Sequence, residues 1–243
     1  MPGRKPPVSA LITCEHASNE VPARWRHLFV GHEAELASHR GWDAGTAELG
    51  HKLADRLEAP LLAGRATRLL IDLNRSAGHP RRYSEWTRKL PRAERARIER
   101  EWWLPHWRAY RSHLENLPGR VIHIACHSFT PVFDGKPRRL DIGLLYDSAR
   151  QPEKAFCLEL RRLIEARRPD LRVRMNAPYR GTANGLGQQH RRQFPADRLI
   201  TIELEIGQHL VARSDWSDTQ ESLVSAVAEA VRASVPRHSS CNL

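Results

Sequence analysis

Long apolar runs are missing from this 243-residue chain. None approaches the ~18 residues a membrane span needs, so the expectation is a soluble, cytoplasmic protein with no membrane partner. The basic N-terminus MPGRKPPVSALIT has an apolar stretch too short for the core of a signal peptide. Cysteine is scarce: Cys14, Cys126, Cys157 and Cys241 show no CxxC and no disulfide framework, so reduced thiols are expected. Aromatics make up only 7%, and no RNP-like aromatic-and-basic segment occurs. That argues against nucleic acid as the partner, although the net charge is +11. The basic residues run from Arg4 to Arg237 without a tail or helix stripe. They suit either a small acidic ligand or a generally Arg-rich surface.

Repeats and low-complexity tracts are also absent. A chain of this length, 40% hydrophobic, can bury one large core, and a single domain over residues 1–243 is expected. Short apolar runs predict strands at residues 8–13, 60–63, 67–73, 120–126, 141–145, 171–175 and 199–206. Helical patterns fill 42–57, 93–117, 153–166 and 218–233; the last places Leu223, Val224, Val227, Ala230 and Val231 at helical spacing. This alternation argues for an α/β sandwich with a mostly parallel or mixed sheet. In such folds ligands sit beyond the carboxyl ends of the strands.

Those ends carry the chemistry. The first strand stops at Cys14-Glu15-His16. TRLLIDLNRS ends at Asp72, Asn74 and Arg75, RVIHIACHSFTP at His127 and Ser128, and RLITIELEIGQ at Glu203 and Glu205. His16 and His127 are candidate metal ligands, since catalytic zinc takes three protein ligands from His, Glu and Asp and keeps one position open. A lone strand-end histidine is otherwise structural, so the pair matters only if the two strands are neighbours. The third ligand is open among Glu15, Glu20, Asp43 and Asp72. Asp43, at a predicted helix start, reads on spacing as an N-terminal cap. Glu203 and Glu205 share one strand face; one of them is a candidate general base, unless that face is solvated at a sheet edge. Arg75 offers a fork that fits a carboxylate, and Arg180 with Tyr179 sits in the loop NAPYRGTANGLGQ, which could close over a substrate. Cys14 with His16 admits a metal-independent thiol amidase as a second mechanism. A basic nucleic-acid or phosphate-binding module is a third reading.

Seven segments in order, CEHASNEVP, RGWDAGTAEL, TRLLIDLNRS, IHIACHSFTP, LDIGLLYD, NAPYRG and IELEIGQ, resemble the N-formylglutamate amidohydrolase family. They run from residue 11 to about residue 210. The resemblance implies a three-layer α/β sandwich like the zinc carboxypeptidases (phosphorylase/hydrolase-like). It also implies zinc, one per chain, and hydrolysis of an N-acyl acidic amino acid such as N-formyl-L-glutamate in amino-acid degradation. Carried to matching positions, His16 and His127 become zinc ligands and Asp43 the first choice for the third. Asn74 and Arg75 become carboxylate binders, and Glu205, in preference to Glu203, the general base. The wider carboxypeptidase-like group has its carboxylate ligand three residues after the first His; here that position is Asn19, so the carboxylate must come from elsewhere. CEHAS also stands where histidine-degrading members tend to carry a PHSG-like segment, so the resemblance implies a reaction class more than one substrate. A monomer or homodimer is expected.

Overall fold

The structure, a computed structural model, describes residues 8–235; Arg4, Arg237 and Cys241 lie outside them. Its strands are β1 (Val8–Cys14), β2 (Leu61–Ala63), β3 (Arg120–Phe129), β4 (Val132–Phe133), β5 (Lys136–Pro137), β6 (Ile142–Leu145), β7 (Val173–Met175) and β8 (Leu199–Gly207). Its α-helices are α1 (Glu33–Ala37), α2 (Thr46–Leu57), α3 (Arg92–Ile98), α4 (Leu104–Asn116), α5 (Gln151–Arg167), α6 (Leu186–Arg191), α7 (Gln208–Val211) and α8 (Trp216–Ala233). Six strands form one sheet in the order β2-β1-β3-β8-β6-β7. β2, β1, β3 and β8 run parallel; β6 and β7 are parallel to each other and antiparallel to β8. The sheet is therefore mixed, with β1, β3 and β8 side by side.

Alternation along these strands sorts the faces. Ile12, Cys14, Ile122, Ile124, Cys126, Ile200, Ile202, Leu204 and Ile206 lie in the main apolar cluster. The same cluster takes Leu49 and Leu53 of α2, Leu160 of α5, and Leu223 and Val227 of α8. Burial of the α8 stripe follows its helical spacing. The opposite sheet face carries Leu11, Val121 and Leu199 under Tyr110 and Leu114 of α4 and Leu186 of α6. Further along that face the apolar residues give way to Thr13, His123, Thr201, His127, Glu203 and Glu205. The result is three layers, with the polar stripe on one side of the sheet.

Two predicted elements come out differently. Residues 67–73 are no strand: the segment turns, with Leu70 N bonded to Thr67 O and Asp72 N to Arg82 O. Its apolar side chains Leu69, Leu70, Ile71 and Leu73 are buried against Trp25, Phe29, Ile98 and Trp103. A short apolar run records burial, not backbone geometry. Its end meets indoles instead of a neighbouring strand: Trp107 Nε1 donates to Leu73 O at 2.9 Å and, just beyond the segment, Trp103 Nε1 to Arg75 O at 2.8 Å. The helical stretch 93–117 is split by a π turn, Glu99–Trp103, between α3 and α4. The Trp-rich helical region therefore covers the irregular segment and clamps the DLNR turn. The hairpin β4–β5 has no counterpart among the predicted elements.

Candidate active site

β1 and β3 are neighbours in register, Thr13 opposite Ala125, so His16, just past the end of β1, stands beside His127 near the carboxyl end of β3. Their rings are 5.0 Å apart. Asp43 arrives from the segment before α2. It is not a cap: α2 has Gly45 in that place and no side-chain cap bond. Asp43 Oδ2 instead lies 3.3 Å from His16 Nδ1 and 3.0 Å from His127 Nδ1, while Oδ1 accepts from Arg68. The three residues can hold a metal ion, with donor atoms within 4.8 Å of one another and all three buried. The other carboxylates considered for the third ligand lie elsewhere. Asp72 Oδ1 contacts the far nitrogen of His16, Nε2, at 2.7 Å. Glu15 faces the far nitrogen of His127, Nε2, at 3.3 Å. Glu20 is exposed, and it lines a separate groove together with Asn19.

The electrostatics keep these charges in place. Burial would raise the carboxyls of Asp43 and Asp72, but the nearby His16 outweighs it at Asp43, and Arg68 with His16 at Asp72, so both stay well below the carboxylate range. Burial would lower His127; its bond to Asp43 and the charge of Glu15 prevail and lift it well above the usual imidazole value. Glu15 is held below its ordinary value because His127, His106, His123 and His16 overcome the effect of burial. The pocket thus holds anionic oxygens around two histidines, and a divalent cation in place of the proton that His127 carries would meet a donor set that fits it.

Glu205 lies opposite His127 in the β3–β8 register, and Glu203 opposite Ala125. β8 is an inner strand, so the edge-strand reading of these glutamates fails. Burial pushes Glu205 up to about 8, with Asp43 and Glu203 adding and His127 opposing. Burial likewise raises Glu203. Glu205 Oε2 is buried without a hydrogen-bond partner. Gly143 of β6 stands opposite Glu205; a Cβ there would collide with the Ala177 carbonyl, so glycine lets the NAPYRG loop settle beside the glutamate. Asn176 Oδ1 pins that loop by accepting from Tyr146 N and Gly181 N.

A cavity of about 460 Å³ joins His16, Asp43, His127, Glu203 and Glu205 to Asn74, Arg75, Tyr179 and Arg180. Asn74 stands 3.2 Å from His127 through its Nδ2. Arg75 is anchored by Nη1 on the carbonyls of Asn74 and Asn184. The cavity also contains Arg68, Arg81 and Arg138, which the sequence reading passed over. Arg138 is caged by the rings of Phe133 and Tyr179, 4.7 and 5.0 Å away, and donates to Tyr179 Oη at 3.1 Å. The readable signal for Arg138 was Asp-Gly at 134–135, a strong hairpin turn pair; both residues have positive φ. Arg68 is signalled only by its spacing of four from Asp72.

The thiol mechanism fails on position. Cys14 points into the apolar core, away from His16, and its thiol donates to Thr46 O at 3.3 Å. A bond with Cys126 and burial both raise it well above the usual thiol value.

Fold and pocket together define a hydrolase whose site stands on the carboxyl rim of a mixed α/β sheet. The family model for N-formylglutamate amidohydrolase matches residues 8–212. The chain belongs to the N-formylglutamate amidohydrolase family, and its activity is hydrolysis of an N-acyl amide. The crystal structure of gene product Atu2144 from Agrobacterium tumefaciens is 26% identical with a TM-score of 0.71, covering 93% of this chain and 90% of that one. The N-formylglutamate amidohydrolase from Ralstonia eutropha JMP134 is 20% identical with a TM-score of 0.67, covering 96% and 97%, a likeness of fold. No curated protein sequence matches the chain significantly. Among the described residues no helix is long and apolar enough to cross a membrane.

Proposed function

We propose that the chain, as one catalytic domain, uses a single zinc ion to remove a formyl or similar small acyl group from an N-acyl acidic amino acid such as N-formyl-L-glutamate. The observation that carries this reading is the convergence of His16 Nδ1 and His127 Nδ1 on Asp43 Oδ2, with Glu205 opposite His127. A cation held by these three would supply Lewis acidity and a water of lowered pKa, ~7 in such sites.

The chain's own groups do the rest. Glu205 takes the proton of the attacking water and passes it to the departing nitrogen; a carboxyl whose pKa is raised toward neutrality suits both steps. Glu203, two residues earlier on the same face, supports the charge balance around it. Asn74 Nδ2 is a donor for the oxygen that becomes negative as the carbonyl is attacked. Arg75, with Nη1 already fixed, presents a preorganised fork to the substrate's carboxylate. Arg180 and Tyr179 belong to the loop beside it, and Arg138 in its aromatic cage adds a second cationic group for an acidic side chain. This basic lining gives the positive charge a use in binding a small anion. Placement in the reducing cytoplasm is part of the proposal and is supported by the free thiols Cys14, Cys126 and Cys157.

Arg75→Lys tests the substrate side. It keeps the charge and loses the fork, so the expected change is a KM about tenfold higher with kcat far less affected, on N-formyl-L-glutamate. Unchanged KM would remove Arg75 from carboxylate binding.

A further inference from the structure

On the site's own sheet face, buried polar side chains form a run of contacts that hydrolysis itself does not use. Tyr110 Oη and Thr201 Oγ1 lie 2.9 and 2.6 Å from His123 Nδ1. His123 Nε2 lies 2.9 Å from Thr13 Oγ1, and Thr13 Oγ1 donates to Glu15 Oε1 at 2.8 Å. Glu15 Oε2, buried and without a hydrogen-bond partner, stands 3.3 Å from His127 Nε2. Thr13, His123 and Tyr110 have no exposed surface, and Glu15 has 1%.

The direction of each bond follows from the donor inventory. A carboxylate only accepts. Thr13 has one proton and gives it to Glu15, so His123 must donate its Nε2 proton to Thr13 and accept at Nδ1 from a neighbouring hydroxyl. Glu15 Oε2 is then an anionic oxygen 3.3 Å from His127 Nε2, at ion-pair distance without a hydrogen bond. The other neighbour of that nitrogen is Asn74 Nδ2, a donor, 3.2 Å away; its amide orientation is fixed because Oδ1 accepts from Leu186 N at 2.7 Å. When a cation takes the place of one of its two ring protons, the two neighbours ask for opposite tautomers of His127. Glu15 favours a proton on Nε2, which leaves the Nδ1 lone pair free beside Asp43. Asn74 favours a bare Nε2, which puts the proton on Nδ1 and blocks it. In this buried, low-dielectric site a full negative charge outweighs an amide dipole at a similar distance, so Glu15 decides.

We infer that Glu15, held by Thr13 and His123, is the positioning residue that sets the tautomer of His127 needed for a cation to bind at His16, Asp43 and His127. The inference rests on the metal reading proposed above. Outer-shell partners of this kind typically change metal affinity about 10–100-fold.

The test is the zinc affinity of the metal-free protein, measured by competition with a chromogenic chelator, for wild type, Glu15→Gln, Thr13→Val and the double variant Glu15→Gln/Asn74→Asp. Glutamine turns its NH2 either on His127, adding a second donor, or on Thr13, breaking the relay. The expected loss is about 10–100-fold. Asp at position 74 supplies a new acceptor for the Nε2 proton and is expected to restore most of that loss, which a merely structural defect would not allow. Should Glu15→Gln fail to fold, Thr13→Val carries the test, with an expected loss of about fivefold from one missing hydrogen bond. Zinc bound within twofold of wild type by Glu15→Gln or by Thr13→Val would overturn the role of Glu15, and so would a double variant as weak as the single one. A wild type that binds no zinc would overturn the metal reading itself.

Discussion

Glu205→Gln is expected to retain zinc and the fold while kcat on N-formyl-L-glutamate falls by about 10²–10⁴, the range of a lost general acid–base. Glutamine keeps the shape and cannot accept the proton. The variant also has a stability signature that is independent of substrate. Folded Glu205 keeps its proton up to about pH 8, against an ordinary value of 4.5. Folding therefore takes up a proton between these values. The carboxyl's contribution is complete below pH 4.5 and is lost as pH rises through about 8. Glutamine loses nothing over that window. In metal-free protein the variant should therefore gain on wild type with rising pH, by on the order of a few kcal/mol. Thermal melts of both proteins across the window read this difference. Parallel pH profiles would show that Glu205 is not the buried, proton-holding group; near wild-type turnover would remove it from the base role.

Asp43→Asn is expected to weaken zinc binding by more than the ~10–100-fold typical of an outer partner and to abolish turnover at ordinary zinc concentrations. The side chain keeps its size but loses the anionic oxygen on which His16 and His127 converge, and it leaves Arg68 without one of its two carboxylates. Asp72→Asn is the natural comparison, because Asp72 meets His16 at its far nitrogen and is otherwise held by Arg68 and Asn74 N. It should fall within the outer-partner range. Chelator competition on both variants separates the roles; a greater loss in Asp72→Asn than in Asp43→Asn would exchange them.

These residues were not equally visible in the sequence. His16 and His127 were legible because apolar runs give way to polar residues there and the strand ends of an α/β sheet face a ligand, although β3 itself runs on to Phe129. The sequence could not tell whether β1 and β3 were neighbours, which depends on strand order. Asp43 looked like a helix cap because spacing places it near a helix start; Gly45 takes that place, and the bond from Asp43 N to His16 O sets Asp43 beside the histidines. Residues 67–73 looked like a strand because their side chains are buried, but their backbone partners are turn groups, the Arg82 carbonyl and the distant indole of Trp107. The Cys14–His16 reading assumed an extended chain through residue 16; the strand ends at Cys14 and the two side chains part. Arg138 and Arg68 come from elements whose approach to the pocket is tertiary; the Asp-Gly pair before Arg138 and the spacing of Arg68 from Asp72 mark a turn and a pair, not a place in the pocket. Glu15 was visible as a carboxylate, but its part depends on a buried contact run across three strands.

Metal content of the purified protein, for wild type and for His16→Ala/His127→Ala, tests the central claim most directly. The expected result is about one zinc per wild-type chain and none in the folded double variant. A folded wild type that takes up no divalent metal even from added zinc, or a double variant that binds it as well, would contradict the metal-dependent reading.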